Sequence, residues 1–179
     1  SSLFMAIAAG LSRLHMQVYG TTQRQIAAVS AKNHRHSVHN PRSQFRRAYT
    51  IDEVLAAPSV IYPLTVPMCA PLSDGAAAVI LCTDEGLSRI AADRRRCVRV
   101  SASVLRSFGH RRMDQPELHV VRLAARQAYE MAGLGPEDVD VAEVHDATAM
   151  GENIQNENLG FAAAGEGGVA SERGDFTLG

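Results

Sequence analysis

The stretch VAEVHDATAM, from Val141 to Met150, decides how the second half of the chain is interpreted. Its first residues are typical of a buried strand, His145-Asp146 follows, and Thr148 can cap a new helix. We therefore expect an imidazole and a carboxylate at the carboxyl end of a strand, directly before a helix N-terminus. Ligands and catalytic groups collect at such places in α/β sheets, and a helix N-terminus favours an anion. The alternative is that His145 is a core histidine and Asp146 a helix cap.

The rest of the second half predicts alternating strands and helices. Apolar or alternating residues predict strands over 76–83, 97–106 and 139–146. Asp84 is expected to cap a short helix to about Ala92, and Pro116 to begin an amphipathic helix that ends at Gly133. After a helix from Thr148 to about Leu159, the tail 161–179 is predicted to be a glycine-rich loop. This order implies an α/β fold with a parallel or mixed sheet covered by helices.

The first half is predicted to be mostly helical. Apolar residues at helical spacing from Leu3 to Val18 stop at Gly20. Two capping boxes, Thr22 with Gln25 and Thr50 with Glu53, predict helices that end near Val38 and Ala57. The proline-containing run over 60–75 is expected to be an irregular buried connection.

Composition bounds the class of protein. Of the 179 residues, 46% are hydrophobic and 21% are charged, which is typical of a globular protein. No apolar run approaches the roughly 18 residues of a membrane span, and the first residues lack the basic start and cleavage site of a signal peptide. The scattered cysteines Cys69, Cys82 and Cys97 have no metal-ligand spacing, which indicates reduced thiols and a cytoplasmic location.

Charge is unevenly distributed, although the net charge is −1. Residues 1–51 contain seven basic residues and no acidic one, whereas acidic residues gather after Asp138. The basic segment suggests contact with an anion, and the alternative is a solvated or subunit-facing surface. Aromatic residues are 5% with no tryptophan, so the pattern does not favour a nucleic-acid partner.

Several long motifs, in order, resemble the thiolase superfamily and, within it, the sterol-carrier-protein-type (lipid-transfer-type) thiolases. The matching stretches are HMQVYGTT (15–22), KNHRHSVHNPRSQF (32–45), YTIDEV (49–54), CAPLSDGAAAVIL (69–81), VAEVHDAT (141–148) and SERGDFTLG (171–179). The resemblance implies a thiolase-like fold of two pseudo-symmetric halves, each a mixed five-stranded sheet with helices, only partly present in this chain. Residues 1–83 would hold the loop-domain segment and the end of the N-terminal half, and residues 84–179 the beginning of the C-terminal half.

The resemblance also implies site residues. His145 would belong to the oxyanion hole that stabilises an enolate, and Asp146 would hold the loop or the histidine. Coenzyme A would pass the segment containing Leu72 and Ser73. Its phosphates would meet basic residues of the loop domain, for which Lys32 and Arg35 are the candidates. A metal site is not expected, because His34 and His36 are two positions apart and do not share a helix face.

Two departures from the family pattern bear on activity. The family's nucleophilic cysteine and its Gly-His-Pro segment lie outside these residues, so we expect that the chain as given cannot run Claisen chemistry by itself. Ala147-Thr148 also stands where the subfamily has Cys-Phe. A cysteine elsewhere could take over the acid/base role, the reaction could have changed, or the chain could be a non-catalytic partner.

Three functions therefore follow from the resemblance. The first is a thiolase-type acyltransferase acting on acyl-CoA thioesters. The second is a thiolase-fold retro-aldolase that cleaves β-hydroxyacyl-CoA of sterol or branched side chains, with a small acyl-CoA-binding partner protein. The third is a CoA-binding or scaffold module. Thiolases usually self-associate, so a homo-oligomer is expected.

Overall fold

The computed structural model describes residues 3–90, 93–112 and 115–178. It has seven helices in these ranges: α1 (Leu3–Tyr19), α2 (Gln23–Ser37), α3 (Ile51–Ala56), α4 (Asp84–Arg89), α5 (Val120–Ala132), α6 (Ala149–Asn158) and α7 (Gly167–Arg173). Short 3-10 turns cover Val66–Met68, Arg94–Arg96, Pro116–Leu118 and Pro136–Asp138. None of the helices in these ranges combines the length and apolar content needed to cross a membrane.

Helix α2 is the centre of the packed part of the molecule. Helices α3, α6 and α7 all contact it. Its residues Ile26, Ala27 and Val29 are fully buried in one cluster with residues of the other elements. The other members of that cluster are Ala9, Ala31, Val54, Leu64, Met68, Ala149 and Met150. Burial of this apolar surface is what holds the helices together.

Local capping signals position the helices as the sequence predicted. Thr22 and Gln25 form a complete capping box at α2, and Thr50 and Glu53 form another at α3. Each box satisfies donors at a helix start that would otherwise lack a partner. Gly133 ends α5 with a φ of +68°, a left-handed conformation that glycine adopts without steric cost.

The strand predictions for residues 76–83, 97–106 and 139–146 are wrong. In the described ranges the one named sheet is a two-stranded antiparallel hairpin, β1 (Ser59–Ile61) with β2 (Leu64–Thr65). The three segments form no sheet, and most of their apolar side chains are exposed, with Ile80 85% and Leu105 98% accessible. A strand needs a neighbouring backbone to receive its hydrogen bonds, and these segments meet none in the part of the chain that the structure describes.

Two helix predictions and one loop prediction also need correction. Thr83, and not Asp84, caps α4, which ends at Arg89; the predicted end at Ala92 lies outside the described residues. Pro116 begins a 3-10 turn, and His119 caps α5. The tail after Phe161 contains helix α7, because its glycines are buried closely against other elements and the packing outweighs their low helix propensity.

Candidate functional site

The His-Asp loop, residues 145–148, leads directly into α6. Thr148 is the N-cap of that helix, and its hydroxyl accepts a hydrogen bond from the Gly151 N–H at 3.3 Å. The Ala70 N–H donates to the Ala147 carbonyl at 3.0 Å, and Cys69 forms an isolated bridge with Thr148. The structure therefore brings the His-Asp loop beside the start of the segment predicted to meet coenzyme A.

Two large clefts meet at Asp146. One, the central cleft, has a volume of about 680 Å³ and is lined by Ser73, Cys69, Tyr49 and Asp146 among others. The other, the acidic cleft, has a volume of about 840 Å³ and is lined by Glu143, Glu152, Asp175 and again Asp146. Asp146 therefore lines both clefts, the central cleft with its polar and apolar walls and the acidic cleft with its several carboxylates.

The carboxyl group of Asp146 is half-buried and held by helix α2. Asn33 Nδ2 donates to Asp146 Oδ2 at 3.2 Å. Burial raises the pKa of Asp146, and the neighbouring Glu152 carboxylate raises it further, against smaller opposing effects that include Lys32 and His145. Asp146 therefore holds the loop to α2 through Asn33.

Lys32 is committed to a buried ion pair. Its Nζ contacts Glu152 Oε1, and the two side chains are only 11% and 6% exposed. Asn33 Nδ2 also donates to Glu152, at 2.7 Å from Oε2. A lysine engaged in this way is poorly placed to meet a coenzyme phosphate, whereas Arg35 on the same helix is exposed.

His145 faces a different opening from Asp146. It is exposed and lines the α1 recess, a small apolar space of about 180 Å³ that also contains Phe4, Ile7, Leu11 and Ala147. His145 and Asp146 therefore line different openings, although they are adjacent in sequence. An imidazole N–H at this edge can donate to an oxygen of a bound molecule, and an apolar group can lie beside it.

The two coenzyme residues predicted on the 70–73 segment are both exposed. Leu72 is 99% accessible, and Ser73 lines the central cleft. Arg47 belongs to the basic segment 1–51 but was not singled out as a phosphate contact. Its guanidinium lies 4.6 Å from the ring centroid of Tyr49, a wall residue of the same cleft, and its Nη2 lies 3.4 Å from Glu53 Oε1 in an exposed ion pair. A basic side chain close to this cleft is the feature that a coenzyme phosphate needs.

The cysteine and the histidines nearest the site have structural surroundings. Burial raises the pKa of the Cys69 thiol, which disfavours the nucleophilic thiolate. His34 Nε2 lies 3.3 Å from the Pro67 carbonyl, and His36 Nε2 accepts from the Leu178 N–H, so the two rings have separate partners. Within the ranges that are described, no group of three or more His, Cys, Asp or Glu is arranged to hold a metal ion.

Comparison with known proteins gives the family. Residues 102–179 match the family described as "Thiolase C-terminal domain-like". The chain is 41% identical over 172 residues to an acetyl-CoA acetyltransferase of Methanothermobacter thermautotrophicus, covering 96% of this chain and 45% of that protein. It is 40% identical over 171 residues to sterol carrier protein 2 of Bos taurus, covering 92% of this chain and 31% of that one.

A solved structure, an Ltp2-ChsH2(DUF35) aldolase, has the same fold, with a TM-score of 0.75 and 24% identity. The match covers 93% of this chain and 45% of that chain. The family model, the relatives and this fold together define a thiolase-like protein. The chain belongs to the thiolase superfamily, as its motifs predicted, and spans less than half the length of these relatives.

Proposed function

We propose that the protein is a thiolase-type acyltransferase that acts on acyl-CoA thioesters. The observation that carries the proposal is the backbone pairing of the His-Asp loop with Cys69 and Ala70. This pairing holds His145 just before a helix N-terminus, at the edge of the α1 recess, while Ser73 on the paired segment lines the central cleft. The chain is related to acetyl-CoA acetyltransferases. The reaction would be thiolysis of a 3-ketoacyl-CoA or condensation of acetyl-CoA.

Each part of the site has a task in that chemistry. A thioester that loses an α-proton becomes an enolate, and its oxygen needs a hydrogen-bond donor and positive potential. His145 would donate to that oxygen, and the N-terminus of the ten-residue helix α6 would add potential of the right sign. Pantetheine would pass Leu72 and Ser73, and Arg35 would meet a phosphate. The buried ion pair of Lys32 makes that residue the weaker candidate.

The test is a His145→Ala variant of the protein purified from its natural source. Loss of one oxyanion donor is expected to lower kcat for acetoacetyl-CoA thiolysis about 10²–10³-fold, with little change in CoA affinity by calorimetry. His39→Ala removes an exposed histidine at the end of α2 and is the control. Wild-type turnover by the His145 variant would contradict the proposal.

Ala147 favours a second candidate function. Where the subfamily's proton-moving cysteine would stand, alanine has no proton to give, and retro-aldol cleavage of a β-hydroxyacyl-CoA needs enolate stabilisation without an acyl-cysteine. Such an enzyme would act with a small acyl-CoA-binding partner protein. Ala147→Cys separates the two: a gain in thiolysis supports thiolase chemistry, and cleavage of a 3-hydroxyacyl-CoA without that gain supports the aldolase. CoA binding with neither reaction would support a binding module.

A further inference from the structure

The side-chain amide of Asn33 spans two carboxylates from different elements. Its Nδ2 lies 3.2 Å from Asp146 Oδ2 in the His-Asp loop and 2.7 Å from Glu152 Oε2 in the first turn of α6. The Nδ2 group has two N–H donors, which is the number that two acceptors require. Both partners only accept when ionised, so the orientation of the amide is fixed by its surroundings and not by assignment.

The charges around the Asn33 amide show why the site needs a neutral donor at this position. Glu152 is buried and paired with Lys32, which leaves Asp146 as a second carboxylate without a cation of its own among these residues. Two carboxylates that share one site repel each other, and the Glu152 carboxylate does raise the pKa of Asp146. A neutral amide that donates to both holds them together without adding a further charge.

The hydrogen bond from Asn33 to Asp146 also restrains the backbone of the His-Asp loop. Asp146 is flanked by His145 and by Ala147, whose carbonyl accepts from the Ala70 N–H. Tying Asp146 to α2 from one side and Ala147 to the 69–70 backbone from the other fixes the peptide between them. The direction in which His145 leaves the loop then depends on both ties.

We propose that Asn33 is a positioning residue of the site, which acts on His145 through Asp146. This inference rests on the proposed function for its catalytic consequence, but its structural part does not. It also explains why Lys32 and Asn33, adjacent in sequence, both turn towards Glu152. Their shared task is to hold the loop and the start of α6 on the central helix.

The first experiment measures the loop in the free protein. Amide hydrogen exchange is compared in wild type and in the variants Asn33→Ala, Asn33→Ser and Asn33→Asp, with Gln23→Ala as the control. Gln23 is also on α2 and its Nε2 donates to the Pro63 carbonyl at 2.7 Å, away from the loop. We expect at least a tenfold loss of protection at Ala70 and at residues 147–151 in Asn33→Ala, and none there in Gln23→Ala.

Asn33→Asp adds a pH dependence of the protection factors that a simple loss of packing would not produce. The carboxylate that this variant introduces would repel both neighbouring carboxylates when it is ionised, whereas its protonated form can again donate a hydrogen bond. The protection factors in Asn33→Asp should therefore recover as the pH falls from 8 to 5, and by more than those of Asn33→Ala, in which only the repulsion between Asp146 and Glu152 is relieved. Asn33→Ser keeps one donor and covers the case in which the alanine variant does not fold. Equal loop protection in Asn33→Ser and Gln23→Ala, or no recovery in Asn33→Asp, would overturn the proposal.

The second experiment separates this inference from the proposed function. If both hold, Asn33→Ser lowers kcat about 10- to 100-fold with little change in KM, because a misdirected His145 weakens the transition state more than the bound substrate. Asn33→Ser combined with His145→Ala should then be no slower than His145→Ala alone. Loosened exchange in the variants, with no acyl-CoA turnover by the wild-type protein from its natural source, would leave the positioning role standing and would reject the proposed function.

Discussion

At the residue scale, the carboxyl group of Asp146 belongs to the candidate site and also affects the free energy of unfolding. Its pKa is raised above the ordinary value of 3.8 by burial and then by Glu152. A raised carboxyl pKa means that the folded protein binds the proton more tightly than the unfolded chain does. The stabilising contribution is therefore fully present below the unfolded pKa and is lost as the pH rises through the folded pKa. At neutral pH, Asp146 costs the protein stability.

Asp146→Asn should accordingly be more stable than wild type at pH 7, and this gain should shrink as the pH falls towards 4. The new amide oxygen can still accept from Asn33. Urea unfolding between pH 4 and 8 measures the difference. Asp93→Asn is the control with the opposite sign, because Arg95 lowers the pKa of the exposed Asp93, whose stabilising contribution is present at neutral pH. A gain for Asp146→Asn that increases on acidification would contradict this account.

The buried pair of His15 and Glu157 joins three helices through side chains. His15 Nε2 lies 3.2 Å from Glu157 Oε2, His15 Nδ1 lies 2.8 Å from Thr21 Oγ1, and Glu157 Oε1 accepts from the Gly167 N–H at 3.1 Å. His15→Ala leaves a buried carboxylate and a hydroxyl short of a partner. We expect it to lower the free energy of unfolding by about 1–3 kcal/mol.

Chemical denaturation of His15→Ala beside His39→Ala tests this expectation. His39 is exposed, so its truncation should change stability by less than about 0.5 kcal/mol. Equal effects of the two variants would mean that the buried pair contributes nothing to stability.

At the scale of elements, two helical glycines differ in the space around their Cα atoms. A Cβ added at Gly167 would lie 2.8 Å from the Asn153 backbone oxygen, a contact that forces a shift, whereas one added at Gly10 meets nothing within 4 Å. Gly167→Ala is therefore expected to lower the free energy of unfolding by about 1–3 kcal/mol. Gly10→Ala should raise it by about 0.5–1 kcal/mol, because alanine restricts the unfolded chain.

Thermal or urea unfolding of the two variants gives the comparison directly. Because the chemical change is the same, the sign of the effect reports the space around each helix. Stabilisation by Gly167→Ala would mean that α7 does not pack on α6 as closely as these distances require.

The same elements show what could be predicted from the sequence. Helices α2 and α3 were predictable because a capping box lies within four neighbouring residues and needs nothing else from the fold. Helix α7 was not, because two adjacent glycines argue against a helix unless the buried contacts of Gly167 and Gly168 are known. The start of α6 at Thr148 was predictable for the same local reason.

Part of the candidate site could likewise be predicted from the sequence, and part of it could not. The place of the His-Asp pair before a helix could be predicted from neighbouring residues. Asn33 could not be connected with Asp146 and Glu152, because 113 and 119 positions separate them and only the fold brings them together. Glu152 also carried a misleading signal, since an acidic residue in the first turn of a helix is ordinarily a solvated partner of the helix dipole.

At the scale of the whole molecule, the predicted strands mark surfaces that lack a partner. Residues 76–83 and 97–106 carry the alternating or apolar pattern of strands, yet Val79, Leu81 and Val98 are 84%, 79% and 90% exposed. The pattern records a preference for a sheet, but pairing depends on another backbone that these described residues do not supply. The division of the chain at residues 83 and 84 lies between these segments and stays a prediction.

Exposed apolar segments with unpaired backbone groups are templates for association. We therefore expect this chain to self-associate with increasing concentration, and Ile80→Lys or Leu105→Lys to shift it towards the monomer, because a charge on a strand edge opposes pairing. Sedimentation velocity over a hundredfold concentration range measures the effect. Val38→Lys, at the polar end of α2 and 38% exposed, is the control for added charge alone. If Val38→Lys reduced association as much as the other two, net charge and not the unpaired segments would govern the assembly.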